Sequence, residues 1–253
     1  MRRVLILVGV LLALAALLVW QAPATWLDAA LRYAGGDTLT LADTQGSVWS
    51  GNGELQALLP RGEAVAVARV RWKLAFEPAS GLEFRLVSSR DDRPLLAVGA
   101  DLSGIRIDAL RLDLPAALLG AASPTLRQAD LDGRIELSAT HLAYRDGRLA
   151  GQMALTWRAA ASGLTPLRPL GDYRIAFNGK GDALDIQVTS LGTPVLALAG
   201  SGRWPLAGKP TLSITATPAP DRHTALAPLL RMIGRESAPG VYQLQLAEGV
   251  GAL

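Results

Sequence analysis

From residue 37 onward the hydrophobic residues of this chain recur with a period of two, and the alternation persists almost to the C-terminus. Successive side chains of a strand point to opposite faces, so repeated runs of this kind require a mainly β domain with one apolar and one wetter face. Within positions 63–76, Val65 and Val67 share one face, whereas Val70, Trp72, Leu74 and Phe76 share the other. That slip of phase places a bulge or bend near Ala68 and Arg69. Leu82, Phe84 and Leu86 alternate with Glu83 and Arg85. Earlier strands are expected at 38–41 and 46–59, and later ones at 95–102, 104–114, 131–142, 148–158, 172–178, 183–189, 195–204, 211–217 and 241–247.

Tyr144-Arg145-Asp146-Gly147-Arg148 and Phe177-Asn178-Gly179 carry tight-hairpin signals. The expected fold is therefore a bent sheet of antiparallel strands laid down as a meander, with a few short helices. Loosely similar units recur, such as 133–157 and 181–204, each running from a glycine to a tryptophan. Pro115 opens a short helix through Leu118 and Leu119, at the position where proline fits a first turn. Leu226, Leu229, Leu230 and Ile233 fall at i, i+3, i+4 and i+7, with Gly234 as C-cap and Pro228 acceptable only near the helix start.

Ahead of the sheet lies an uncharged apolar run, residues 4–20, preceded by Met1, Arg2 and Arg3. Seventeen helical residues reach roughly 25 Å, within range of a single membrane span. Arg2 and Arg3 put the N-terminus in the cytoplasm, while Trp20 and Trp26 suit an interfacial aromatic belt. A cleaved secretory signal is the rival reading, but its apolar core is shorter, and Trp20 and Pro23 fit a cleavage site poorly. A buried soluble helix is the third. The expected layout is a cytoplasmic N-terminus at 1–3, an anchor at 4–20, a linker helix at 21–36 and a periplasmic β domain at 37–253.

In the linker, Thr25-Trp26-Leu27-Asp28 has the form of a capping box, and Trp26, Ala29, Ala30 and Tyr33 recur at helical spacing before Gly35-Gly36. This pattern fits a helix at the membrane surface and, equally, an ordinary packed helix.

Lys and Arg number 25 against 22 Asp and Glu; without Arg2 and Arg3 the balance is 23 to 22, so the outer domain is near neutral. No basic run suited to nucleic acid is present. The absence of cysteine excludes disulfides, thiolate metal sites and a cysteine nucleophile. His141 and His223 are 82 positions apart, and neither has a partner at metal-ligand spacing. Asp91-Asp92 and the pair Asp130 and Asp132 lie in turn-like sequence, where aspartate is expected anyway. With no Gly-x-Ser-x-Gly elbow, Walker loop or dinucleotide fingerprint, the expectation is a protein that is not an enzyme and uses no cofactor or metal.

Gly46-Ser47-Val48-Trp49-Ser50-Gly51 resembles the Gly-Thr/Ser-Val-Trp-x-Gly signature of the type II secretion system protein N family. The basic start and anchor, the stretch from Pro23 to Trp26, Gly171-Asp172-Tyr173, and Leu229-Leu230 with Gly234 and Tyr242-Gln243-Leu244 follow in similar order. The hexapeptide itself reads as structural: glycines for a turn or close approach, Val48 and Trp49 for core packing. The resemblance implies a non-catalytic, single-pass inner-membrane component of the machine that exports folded proteins across the outer membrane. Its partners would be other secretion-system subunits in the cell envelope, with lipid as a further candidate.

A runner-up comes from another class. Anchored chains rich in amphipathic strands also resemble the AsmA-like proteins, whose bent sheets present an apolar groove for lipid. The feature that separates the two is whether the apolar face is a closed core or an open groove.

Overall fold

The computed structural model describes residues 21–78, 80–121 and 123–246. Residues 4–20, and with them Arg2, Arg3 and Trp20, lie outside the described residues. Among the described residues no helix is long and apolar enough to cross a membrane.

One antiparallel sheet of 14 strands makes up the domain. Its first half comprises β1 (Leu39–Gly46), β2 (Ser50–Leu58), β3 (Ala64–Glu77), β4 (Gly81–Ser88), β5 (Pro94–Asp101), β6 (Gly104–Pro115) and β7 (Leu131–Arg145). The second half comprises β8 (Arg148–Ser162), β9 (Gly171–Gly181), β10 (Ala183–Leu191), β11 (Leu196–Pro205), β12 (Thr211–Pro218), β13 (Arg235–Ala238) and β14 (Val241–Leu246). Each strand pairs with its successor until β12, where β14 pairs with β12 and leaves β13 at the edge. The meander is therefore as the periodicity implies. The expected phase slip is a bulge at Val67: Ala66 pairs with Gln56 and Ala68 with Leu55, leaving Val67 unmatched.

Helix α1 (Thr25–Gly35) precedes the sheet. A 3-10 turn (Ala116–Ala121) and the short helix α2 (Pro124–Gln128) link β6 to β7, and α3 (His223–Ile233) links β12 to β13. The large buried side chains of the strands face one side. There they form two cores, one beneath each long helix. The N-terminal core gathers Leu41, Leu55, Val70, Trp72 and Leu86 with Ala24, Leu27 and Leu31 of the α1 segment. The C-terminal core gathers Leu170, Tyr173, Leu196, Ala216 and Tyr242 around Leu226, Leu229 and Leu230 of α3.

The sheet is curled. In a flat sheet β1 and β7 would stand about 29 Å apart at roughly 4.8 Å per strand. Instead Leu39 of β1, Ile135 of β7 and Leu155 of β8 line one apolar cleft of ≈ 390 Å³, together with Leu118 and Leu119 of the 3-10 turn.

Some local expectations differ. The Asn178-Gly179 pair is not a turn: both residues stay in β9, paired with Asp185 and Leu184, and the chain reverses at Gly181 and Asp182. Pro228 lies inside α3, which begins at His223. Losing one helical N–H there is offset by the burial of Leu226, Leu229 and Leu230 on the same helix.

Candidate functional site

The Gly46–Gly51 hexapeptide is the turn between β1 and β2. Gly46 pairs with Gly51, the Ser47 N–H donates to the Ser50 carbonyl at 2.9 Å, and Ser50 N–H donates back to Ser47 Oγ at 3.3 Å. Gly46 has φ +96°, and a Cβ on Gly51 would lie 2.3 Å from the Gln45 carbonyl oxygen and 2.5 Å from the Trp72 ring. Both positions therefore require glycine. Trp72, on β3, is 3 % exposed and donates its indole N–H to the Ser47 carbonyl at 2.9 Å.

Trp49 is only half-buried, and so is Val48, so the core tryptophan of this turn is Trp72 and not Trp49 as the hexapeptide suggests. The reason is register: Gly51 faces Trp72 across β2 and β3, and the missing side chain leaves the ring its space. The Trp49 backbone is used all the same, its carbonyl accepting the Leu74 N–H at 2.7 Å.

The same turn grips the segment that follows the apolar run. Val48 N–H donates to the Ala22 carbonyl at 3.0 Å, Ala24 N–H donates to the Gly46 carbonyl at 3.3 Å, and Pro23 bridges Ser47. One turn further, Asp28 Oδ1 accepts the Leu41 N–H at 2.7 Å while its other oxygen holds Arg32 at 2.9 Å. The expected capping box does not form: Ala24 occupies the N-cap with no side-chain bond, and the Asp28 carboxylate satisfies the open edge of β1 instead. Residues 22–28 thus act as an edge cover for the sheet. Asp28 gave no separate signal in the sequence, because its partner is a backbone group 13 positions away.

In α1 the stripe Trp26, Ala29, Ala30 and Tyr33 points outward, with Trp26 58 % and Tyr33 95 % exposed. Packing of the helix is through Leu27 and Leu31.

The polar candidates are dispersed. His141 is exposed, and His223 Nε2 lies 2.8 Å from the Tyr242 hydroxyl. Asp91 pairs with Arg93 and Asp92 with Arg71, while Asp130 and Asp132 pair with Arg61 and Arg168. Among the described residues no cluster of three His, Asp or Glu could hold a metal. On the outer face Arg106 bonds Glu83 at 2.9 Å and Asp108 at 3.1 Å, and Arg145 bonds Asp101 at 3.3 Å. The Ser80 hydroxyl, then Arg85 and Arg106, hold the Glu83 carboxyl below its usual value. The Ser103 hydroxyl and backbone do the same for Asp101, with Arg145 adding to it. Burial pushes the Tyr173 phenol well above its usual range; its hydroxyl donates to the Leu196 carbonyl at 2.7 Å.

These features define a helix-covered β-sheet domain whose most specialised turn is a junction between the sheet and the segment leading into it. The family model of type II secretion system protein N matches residues 37–245, and the chain belongs to that family of secretion components. No curated protein and no solved structure matches it.

Proposed function

We propose that this chain is a non-catalytic, single-pass inner-membrane subunit of the type II secretion apparatus, whose periplasmic sheet works by binding other secretion-system subunits. The carrying observation is the reach of the family match: it begins two positions before β1 and ends within β14, taking in essentially the whole sheet. The apolar, uncharged residues 4–20 behind Arg2 and Arg3 support the anchor. Holding such a domain beside partners in the same membrane layer raises its effective concentration for them without new contacts. The AsmA-like alternative has less support, because α1 and α3 cover the apolar face where its two cores lie.

The reading is tested by crosslinking in living cells, purifying the full chain from membranes and identifying its adducts by mass spectrometry. Recovery of other type II subunits is the expected result. Stoichiometric phospholipid without those subunits would refute it.

A further inference from the structure

The large hydrophobic side chains exposed on this domain are gathered at one end of the sheet. Along β3 the inner face runs from Val70 and Trp72, both buried, through half-buried Leu74 to Phe76, 70 % exposed. Phe76 opens a row that continues in register across six strands through Leu82, Ala100, Ile105, Tyr144 and Leu149. At about 4.8 Å per strand this row is about 24 Å long. Leu102 and Leu206 stand exposed in turns at the same end, and Trp204, paired with Leu184, extends the surface beyond β9. Among the described residues, only Val65 and Tyr33 of the exposed large hydrophobics belong to the opposite end. A row of apolar side chains of this length, exposed at several positions, marks a contact surface.

The Gly46–Gly51 turn lies at this same end. Only Gln21 separates Trp20, the last residue of the apolar run, from Ala22, whose carbonyl is bonded to Val48. Two extended residues span about 7 Å at most. With residues 4–20 in the bilayer, as the proposed function has it, Ala22 and the Gly46–Gly51 turn lie next to the lipid headgroups, and the end of the sheet that carries the rim faces the membrane.

We infer that this rim is a second membrane contact: Phe76, Leu102, Ile105, Tyr144 and Trp204 rest in the interfacial layer of the membrane that residues 4–20 cross, with Trp26 beside them. Aromatic and aliphatic tips of this kind suit the headgroup layer. Charges at this end are mixed. Asp101 pairs with Arg145 and Asp182 with Arg203, both at 3.3 Å, while Arg148 and Lys209 are matched in number by Glu77 and Asp146. The contact is therefore driven by apolar insertion and is insensitive to salt. The domain consequently stands with its strands pointing at the membrane, presenting the opposite end, with α3 and the β4–β5 turn, to the periplasm.

The absence of native cysteine makes the test direct. The full chain is reconstituted into vesicles of phosphatidylethanolamine and phosphatidylglycerol as single variants Leu102→Cys and Leu206→Cys at the rim, and Arg90→Cys and Glu63→Cys at the far end. Each carries a fluorophore, and the vesicles carry nitroxide-labelled acyl chains. Several-fold quenching at 102 and 206, with none at 90 and 63 and no change at high salt, is expected. Rim labels that escape lipid quenching while alkaline carbonate leaves the chain in the vesicles would overturn the rim contact alone. Shielding of those labels from aqueous iodide without lipid quenching would overturn it too, in favour of a protein on the rim. Release of the chain by carbonate would overturn the anchor and the rim together.

Discussion

The two halves of the sheet close over their cores by the same device, a tryptophan whose indole donates to a backbone carbonyl beside a glycine. In the N-terminal half Trp72 donates to Ser47 with its ring over Gly51, and where the halves meet Trp157 of β8 donates to Asp132 of β7 beside Gly133, both at 2.9 Å. The covering helices differ. Helix α3 buries Leu226 and Leu230 completely and is tied down by Thr165, whose hydroxyl donates to the Ala225 carbonyl at 2.9 Å. Helix α1 contributes only half-buried Leu27 and Leu31 and turns Trp26 and Tyr33 to the outside. The C-terminal core is complete from the strands and loops of its own half together with α3. The N-terminal core is completed by residues 22–31, ahead of the first strand, so it couples the integrity of the sheet to the segment that leads into it.

That contrast can be broken most forcefully at Trp72. Replacing Trp72 with Ala should cost about 3–5 kcal/mol, as for other buried aromatic truncations, and should expose residues 22–28 to hydrogen exchange. Exchange there that stays as slow as in the unaltered protein would show that the turn does not hold that segment. Leu230→Ala should cost about 2–5 kcal/mol by leaving a cavity in the C-terminal core, but exchange in residues 22–28 should hardly change. Equal loss of protection in both regions would mean a single cooperative core and not two. Asp28→Ala, which leaves the Leu41 N–H without its partner, should destabilise by about 1–3 kcal/mol, read from chemical denaturation.

The smallest effect is expected from acid. Glu83 and Asp101 have folded values below their ordinary ones of 4.5 and 3.8, so their contribution is full above those values and is lost as pH falls through the folded ones. Melting temperature should decline below about pH 4, and Asp101→Asn should flatten that decline. An unchanged slope in the variant would remove Asp101 from the account.

Much of this architecture is legible in the alternation of apolar residues, because burial of one sheet face imposes a period of two on each strand. The phase slip in β3 is visible for the same reason, and the bulge at Val67 lies next to its expected place. β13 escapes because all four of its residues are exposed and carry no apolar signal. Helix α2 escapes because it is five residues long and buries none of them. Asn178-Gly179 misleads because hydrogen bonding to both neighbouring strands outweighs its local turn preference. At the hexapeptide, sequence indicates a tight glycine turn but not which tryptophan fills it. Gly51 and Trp72 are 21 positions apart, and only the β2–β3 register joins them.

The central claim is that this domain serves type II export. The most direct measurement is the partition of a native type II substrate between periplasm and medium in cells lacking this chain, with and without the full-length chain restored. The account predicts substrate trapped in the periplasm and released again on restoration. Export that proceeds at the normal rate in its absence would contradict it.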